Sequence, residues 1–194
     1  MLDASWPGWG LMQCGISAAS GLLGVLIGGL MSSRGQKAER RNARIREQLH
    51  DFYSPLLGIR EEIRAKSELR TKLHSAANAA WQKQVAIHNR SVPEDIEAQF
   101  NKVIDYSNEQ LEKDLVPLYR KMLDLYLSNK WLAEESTRGF TYELVEFVEI
   151  WNRYFAESLP RQVLNEIEHT EAKLQPFYSD LQDNFNRLSK ELQN

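Results

Sequence analysis

The residues best spaced for chemistry are two Glu-x-x-His pairs: Glu47 and His50 in "EQLH", and Glu166 and His169 in "EIEH". Di-iron carboxylate bundles use two such pairs with two more glutamates, all projecting into a four-helix core. Helical phase argues against that use here. With Leu49, Phe52 and Leu56 on the core stripe, Glu47 and His50 fall on flanks that face away. With Ile167, Leu174 and Tyr178 on the core, Glu166 and His169 point outward too. The expectation is four solvated side chains, no metal and no cofactor. His74 and His88 have no paired cysteine or acid at zinc-ligand spacing. Cys14, the single cysteine, sits in an apolar run, which leaves no Cys–His nucleophile and no intrachain disulfide. No P-loop, dinucleotide fingerprint or nucleophile elbow occurs. Nothing in the chain reads as catalytic, and it is not expected to be an enzyme.

The elements that would position such residues begin with a sharp charge boundary. The 194 residues sum to a charge of −3, but the sum hides a segregation. From Arg34 to Arg46 there are six basic residues (Arg34, Lys37, Arg40, Arg41, Arg44, Arg46) against one acid, Glu39. After Arg46 there are 18 basic and 25 acidic residues, a net −7. A basic collar on an acidic body does not suit a nucleic-acid binder, whose positive charge should spread over its folded face.

Before the collar, 21 residues from Leu11 to Met31 carry no formal charge. As a helix they would span about 32 Å, close to a hydrocarbon core of about 30 Å. A cleaved signal needs positive charge before its apolar run; here the positive charge follows it. The pattern predicts a short extracytoplasmic tail over 1–10, a transmembrane helix over 11–33 and a basic juxtamembrane helix over 34–50. Positive charge stays in the cytosol, so the N-terminus lies outside and the body, 51–194, is cytosolic, at the cell's inner (plasma) membrane. Trp6 and Trp9 suit the outer interface. Ser20, Gly24 and Gly28 recur every four residues, and Ser17 and Gly21 form a neighbouring pair. Such small faces let membrane helices approach closely, so anchor self-association is expected.

The body reads as all-α. Helix-forming residues dominate it, and only Gly58 and Gly139 remain of the ten glycines after residue 36. A stripe at Ile45, Leu49, Phe52, Leu56, Ile59 and Ile63 marks the first helix, which runs toward Asn89. Within it, Ser54–Pro55 is either a new N-terminus or a kink. Ser91 and Pro93 start the second helix, with apolar residues from Ile96 to Leu125 and a kink at Pro117. "SNKWLAEESTRGF" reads as a connection, Thr141–Ser158 as a short helix, and Pro160 onward as a third long helix through Leu192. The expected architecture is an antiparallel bundle of three long helices, about 50 Å each, and one short one. Three segments, "DFYSPLL", "VPLYRKML" and "QPFYSDL", each set an aromatic residue or Leu with Tyr beside a proline. Either they mark one layer where three kinked helices meet or they are coincidence in a helix-rich chain, and they are not read as a repeat.

Between Leu144 and Phe155, eight of twelve residues are apolar, covering about 220° of the helix where one core contact needs about 100°. Either this helix is central in the bundle, or its excess face meets a partner or a second copy. In the second case Trp131, Val145, Val148, Trp151 and Phe155 form the candidate partner surface. The leading reading is a membrane-anchored helical scaffold that tethers an unidentified cytosolic protein, or its own copies as a homo-oligomer, at the lipid surface. The alternative is a membrane-active effector that oligomerises through the glycine-rich anchor and perturbs the bilayer.

Overall fold

A computed structural model describes residues 35–193. The transmembrane expectation over 11–33, with Ser17, Ser20, Gly21, Gly24 and Gly28, lies outside the described residues, as do Arg34 and Cys14. No helix among the described residues is long and apolar enough to cross a membrane. The chain divides into two compact units, Met1–Ile45 and Arg46–Asn194. Of the first unit, residues 35–45 are helical. The second unit is helical throughout its regular elements, with no strand among the described residues.

Helix α1 covers 35–48 and α2 covers Ser54–Ile87. A single π turn, Leu49–Tyr53, joins them. Pro55 explains it. Proline has no N–H, and its ring collides with the carbonyl four residues back, here Asp51. Widening the turn lets the Ser54 N–H reach the Leu49 carbonyl instead. The side-chain amide of Asn129 then donates to the displaced Asp51 carbonyl at 3.2 Å. Ser54 has helical dihedrals and Tyr53 makes no side-chain cap, so Pro55 starts no new helix. The same device recurs before Pro117. Helix α3 (Glu94–Gln110) passes through a π turn, Leu111–Leu115, into α4 (Val116–Asn129). That turn contains one residue more than an α-turn and advances the buried face. Leu118 and Leu125, within the apolar run expected from Ile96 to Leu125, are only half-buried, while Tyr119 and Tyr126 are buried.

Beyond α4 come a 3-10 turn (Lys130–Leu132), α5 (Glu135–Arg138), α6 (Thr141–Phe155), α7 (Arg161–Glu166), a second 3-10 turn (Glu171–Leu174) and α8 (Gln175–Gln193). The third long helix expected from Pro160 is thus broken. Ile167 and Thr170 are extended, and the helix restarts through the 3-10 turn just ahead of Pro176. Ser91 is not the cap of α3 either. Pro93 holds the capping position, and Glu94, Asp95 and Glu97 complement the positive helix N-terminus.

Helices α2, α4, α6 and α8 form the bundle. α2 packs against α4 and α8, and α4 packs against α6. Aromatic rings from the π turn, α4 and α8 meet in one layer of the core. Phe52 lies 5.9 Å from the Tyr126 ring, Tyr126 lies 5.8 Å from Phe177, and Arg60 sits 4.8 Å over the Tyr178 ring. Phe52, Tyr53, Leu56, Met122, Tyr126, Phe177 and Leu181 are fully buried there. Each such side chain contributes about 1.5–3 kcal/mol by leaving water.

The upper part of this unit is different. Past Ile63, α2 continues for more than six further turns with α3 as its main neighbour, Glu171 reaching only its first turns. From residue 64 to 106 no residue is buried. The two helices form an arm, closed at its tip by Asn89 and Arg90, which both take positive φ (47° and 71°).

Candidate functional site

The densest polar arrangement is internal. Thr137, on α5, is fully buried. Its hydroxyl gives its one hydrogen to Asp180 at 2.5 Å, and so must accept from the Tyr53 hydroxyl at 3.1 Å and the Asn184 amide at 3.1 Å. Tyr53 in turn accepts the Glu134 backbone N–H at 3.0 Å. Tyr126 donates to the Thr137 carbonyl at 2.9 Å. Gln48 donates to the Leu132 carbonyl and to Glu134, which Arg187 also contacts. The network fastens the 130–141 connection between α2, α4 and α8. It presents no accessible nucleophile. Burial is the largest cause raising the Tyr53 and Tyr126 phenols above their ordinary value. Burial, then the neighbouring Tyr178 and Glu171, raises Tyr119; burial, then Glu171, raises Tyr178. The Tyr178 hydroxyl makes no hydrogen bond of standard geometry, so Glu171 acts on it through charge. Sequence reasoning missed this network, although Asn184 on the apolar stripe of α8, between Leu181 and Leu188, was a usable signal.

The Glu-x-x-His residues do not converge. Glu47, His50 and Glu166 are exposed, and His50 pairs with its neighbour Asp51 at 2.6 Å. His169 is not the outward residue of a helix. It lies in the break before the 3-10 turn, half-buried, with its ring 5.7 Å from Trp151. Among the described residues no group of three or more His, Cys, Asp or Glu side chains is placed to hold a metal.

The surface expected on α6 is largely occupied. Val148 (4% exposed) is in the core. Trp151 and Phe155 are half-buried, stacked 5.9 Å apart, and α7 with the following 3-10 turn packs against this end of the helix. The wide apolar face thus has two neighbours, α4 on one side and the 161–174 segment on the other. Val145 and Trp131 are exposed, and Arg138 donates to the Trp131 carbonyl at 3.3 Å. Of the basic collar, Lys37, Arg40, Arg41, Arg44 and Arg46 are exposed on α1, and the first four share one helical face by their spacing.

A second run of exposed apolar side chains lies on the arm. Leu69, Leu73, Ala76, Ala80 and Ile87 follow a 4-3-4-7 spacing along one flank of α2. Leu69 is 53% exposed, Leu73 51% and Ile87 71%. Across the cleft α3 contributes Phe100, Val103 and Tyr106, the last 64% exposed. With Leu69, Leu73, Ala76 and Ala80 they line an open, mostly apolar groove of about 690 Å³; Ile87 lies outside it. A smaller groove, about 260 Å³, opens on the opposite side between His74, Trp81, Glu97 and Ile104. Trp81 against Phe100 (5.3 Å) and Arg70 donating to the Ser107 carbonyl (3.1 Å) hold the two helices together. The charges are sorted between them. α2 from Arg64 to Ile87 has five basic residues and one acid, and α3 has five acids and one basic residue. The ion pairs of Arg64, Lys66 and Lys113 run along their own helical rods, not across the cleft.

No protein-family model matches the chain, and no curated protein and no solved structure matches it.

Proposed function

We propose that this protein is a membrane-anchored helical scaffold whose α2–α3 arm is its docking element. The arm carries the reading. A chain that buries Phe52, Met122 and Phe177 completely leaves Leu69, Leu73 and Tyr106 in water around one groove. Contiguous apolar surface of this kind marks a site of association. The uncharged run over 11–31 and the basic collar after it support an anchor, which raises the effective concentration of whatever the arm holds. Helical grooves of this type accept an apolar helix face through anchors three and four residues apart. A photo-reactive residue placed at Leu73 of the full chain in its membranes should capture a discrete adduct. The same residue at Glu61, on the exposed face of the lower bundle, should capture none. Extraction of the chain by carbonate would remove the anchor from this reading, and absence of any adduct at Leu73 would remove the docking arm.

A further inference from the structure

The occupant of the large groove follows from the net charge of the two helices that form it. We propose that the groove is filled by the same groove of a second copy of this chain, giving a four-helix bundle of two arms pointing the same way. This rests on the reading of the arm as a docking element. Two hairpins stacked face to face about a two-fold axis have two solutions. With the axis across the helices, α2 lies on α2 and α3 on α3, and like charges meet. With the axis along the helices, the basic α2 of one copy lies antiparallel on the acidic α3 of the other, and every helix has neighbours of opposite sign. The second solution also places both bodies at one end of the bundle.

The apolar stripe carries the same message. Its 4-3-4 spacing is that of a coiled-coil seam, with Ala76 and Ala80 allowing close approach. Residue 83 completes the next step of that spacing and is a lysine. One charged residue in a seam fixes register, and it requires a partner. Because Trp81 lies against Phe100 within one hairpin, Lys83 of one copy comes level with the first turn of α3 in the other. Asp95 stands in that turn, on the flank that carries Val103 and Tyr106.

The test uses full-length chains with Cys14→Ser, still in the membrane. Chains carrying Ala80→Cys and differently tagged chains carrying Gln99→Cys are co-expressed and treated with a short bismaleimide. The expected result is a mixed-tag product of twice the chain mass. Gln82→Cys, on the other flank of α2, in place of Ala80→Cys should give little, which separates arm contact from pairing through the anchor. Lys83→Glu should weaken association about tenfold, and adding Asp95→Lys should restore it. Leu73→Glu should abolish the product at unchanged helicity. If that variant does not fold, the charge exchange still decides. Failure of the Ala80–Gln99 product, or of the rescue, overturns self-docking. If the photo-reactive residue at Leu73 then captures a different protein, the docking arm stands and only its occupant changes. If it captures nothing, both readings fall.

Discussion

Thr137 holds more of this molecule together than its size suggests. Its single hydroxyl is a node for Tyr53, in the π turn before α2, and for Asp180 and Asn184, one turn apart on α8. Thr137→Val keeps the shape and removes the node, leaving buried donors and acceptors without partners. A loss of about 2 kcal/mol is expected, read as a lower urea midpoint with unchanged slope. The four buried tyrosines make a second prediction. Tyr53, Tyr119, Tyr126 and Tyr178 all have phenols raised above their ordinary value, first by burial. The folded state therefore binds their protons more tightly than the unfolded chain, where each ionises near pH 10. Below that pH their contribution to stability is complete. It is lost as pH rises from about 10 toward the raised folded values. Phenolate absorbance should accordingly appear together with loss of helicity, not before it. A phenolate signal saturating while the far-ultraviolet spectrum stays native would refute this.

Prolines, rather than glycines, shape the elements. Pro55 and Pro117 each follow a π turn, and Pro176 follows a 3-10 turn. The helices bend their hydrogen-bond pattern and do not stop. Gly58, one turn into α2, has no such role. Its surroundings are open, with no atom within 4 Å of an added Cβ. Gly58→Ala should stabilise the protein by about 0.5–1 kcal/mol, seen as a rise in melting temperature. Much of this level was legible in the sequence. The Phe52–Ile63 stripe and the short helix from Thr141 both follow from spacing. The rest was hidden for a physical reason. A period of 3.6 assumes an unbroken α-ladder, and the turn at 111–115 inserts a residue into it. Tyr119 and Tyr126 thereby exchange places with Leu118 and Leu125. The break at 167–170 was hidden likewise, since Ile167 and Leu174 keep helical spacing across residues that are not helical. The candidate surface moved from α6 to the arm because burial is decided by neighbours: the covering of Trp151 by His169 and the 161–174 segment is a tertiary fact.

Within the second unit, the bundle and the arm are built to different standards. The bundle has a core of fully buried aromatic and aliphatic side chains, and the arm has one layer of half-buried contacts. Brief exposure to a protease of broad specificity should cut first near Asn89 and Arg90, then within 64–106, before any cut in 115–150. Early cleavage inside α4 or α6 would contradict that order. The arm's contrast with the bundle has a further consequence. Residues 64–106 can open without disturbing Tyr126 or Phe177, so their amide hydrogens exchange with solvent through a small local fluctuation, while those of the bundle wait for global unfolding. Anything that covers the arm must add its binding free energy to that local opening and to nothing else. Deuterium uptake along α3 then becomes a gauge of occupancy. It slows as the protein is concentrated if a second copy is the cover, and it is indifferent to concentration if the cover is another molecule.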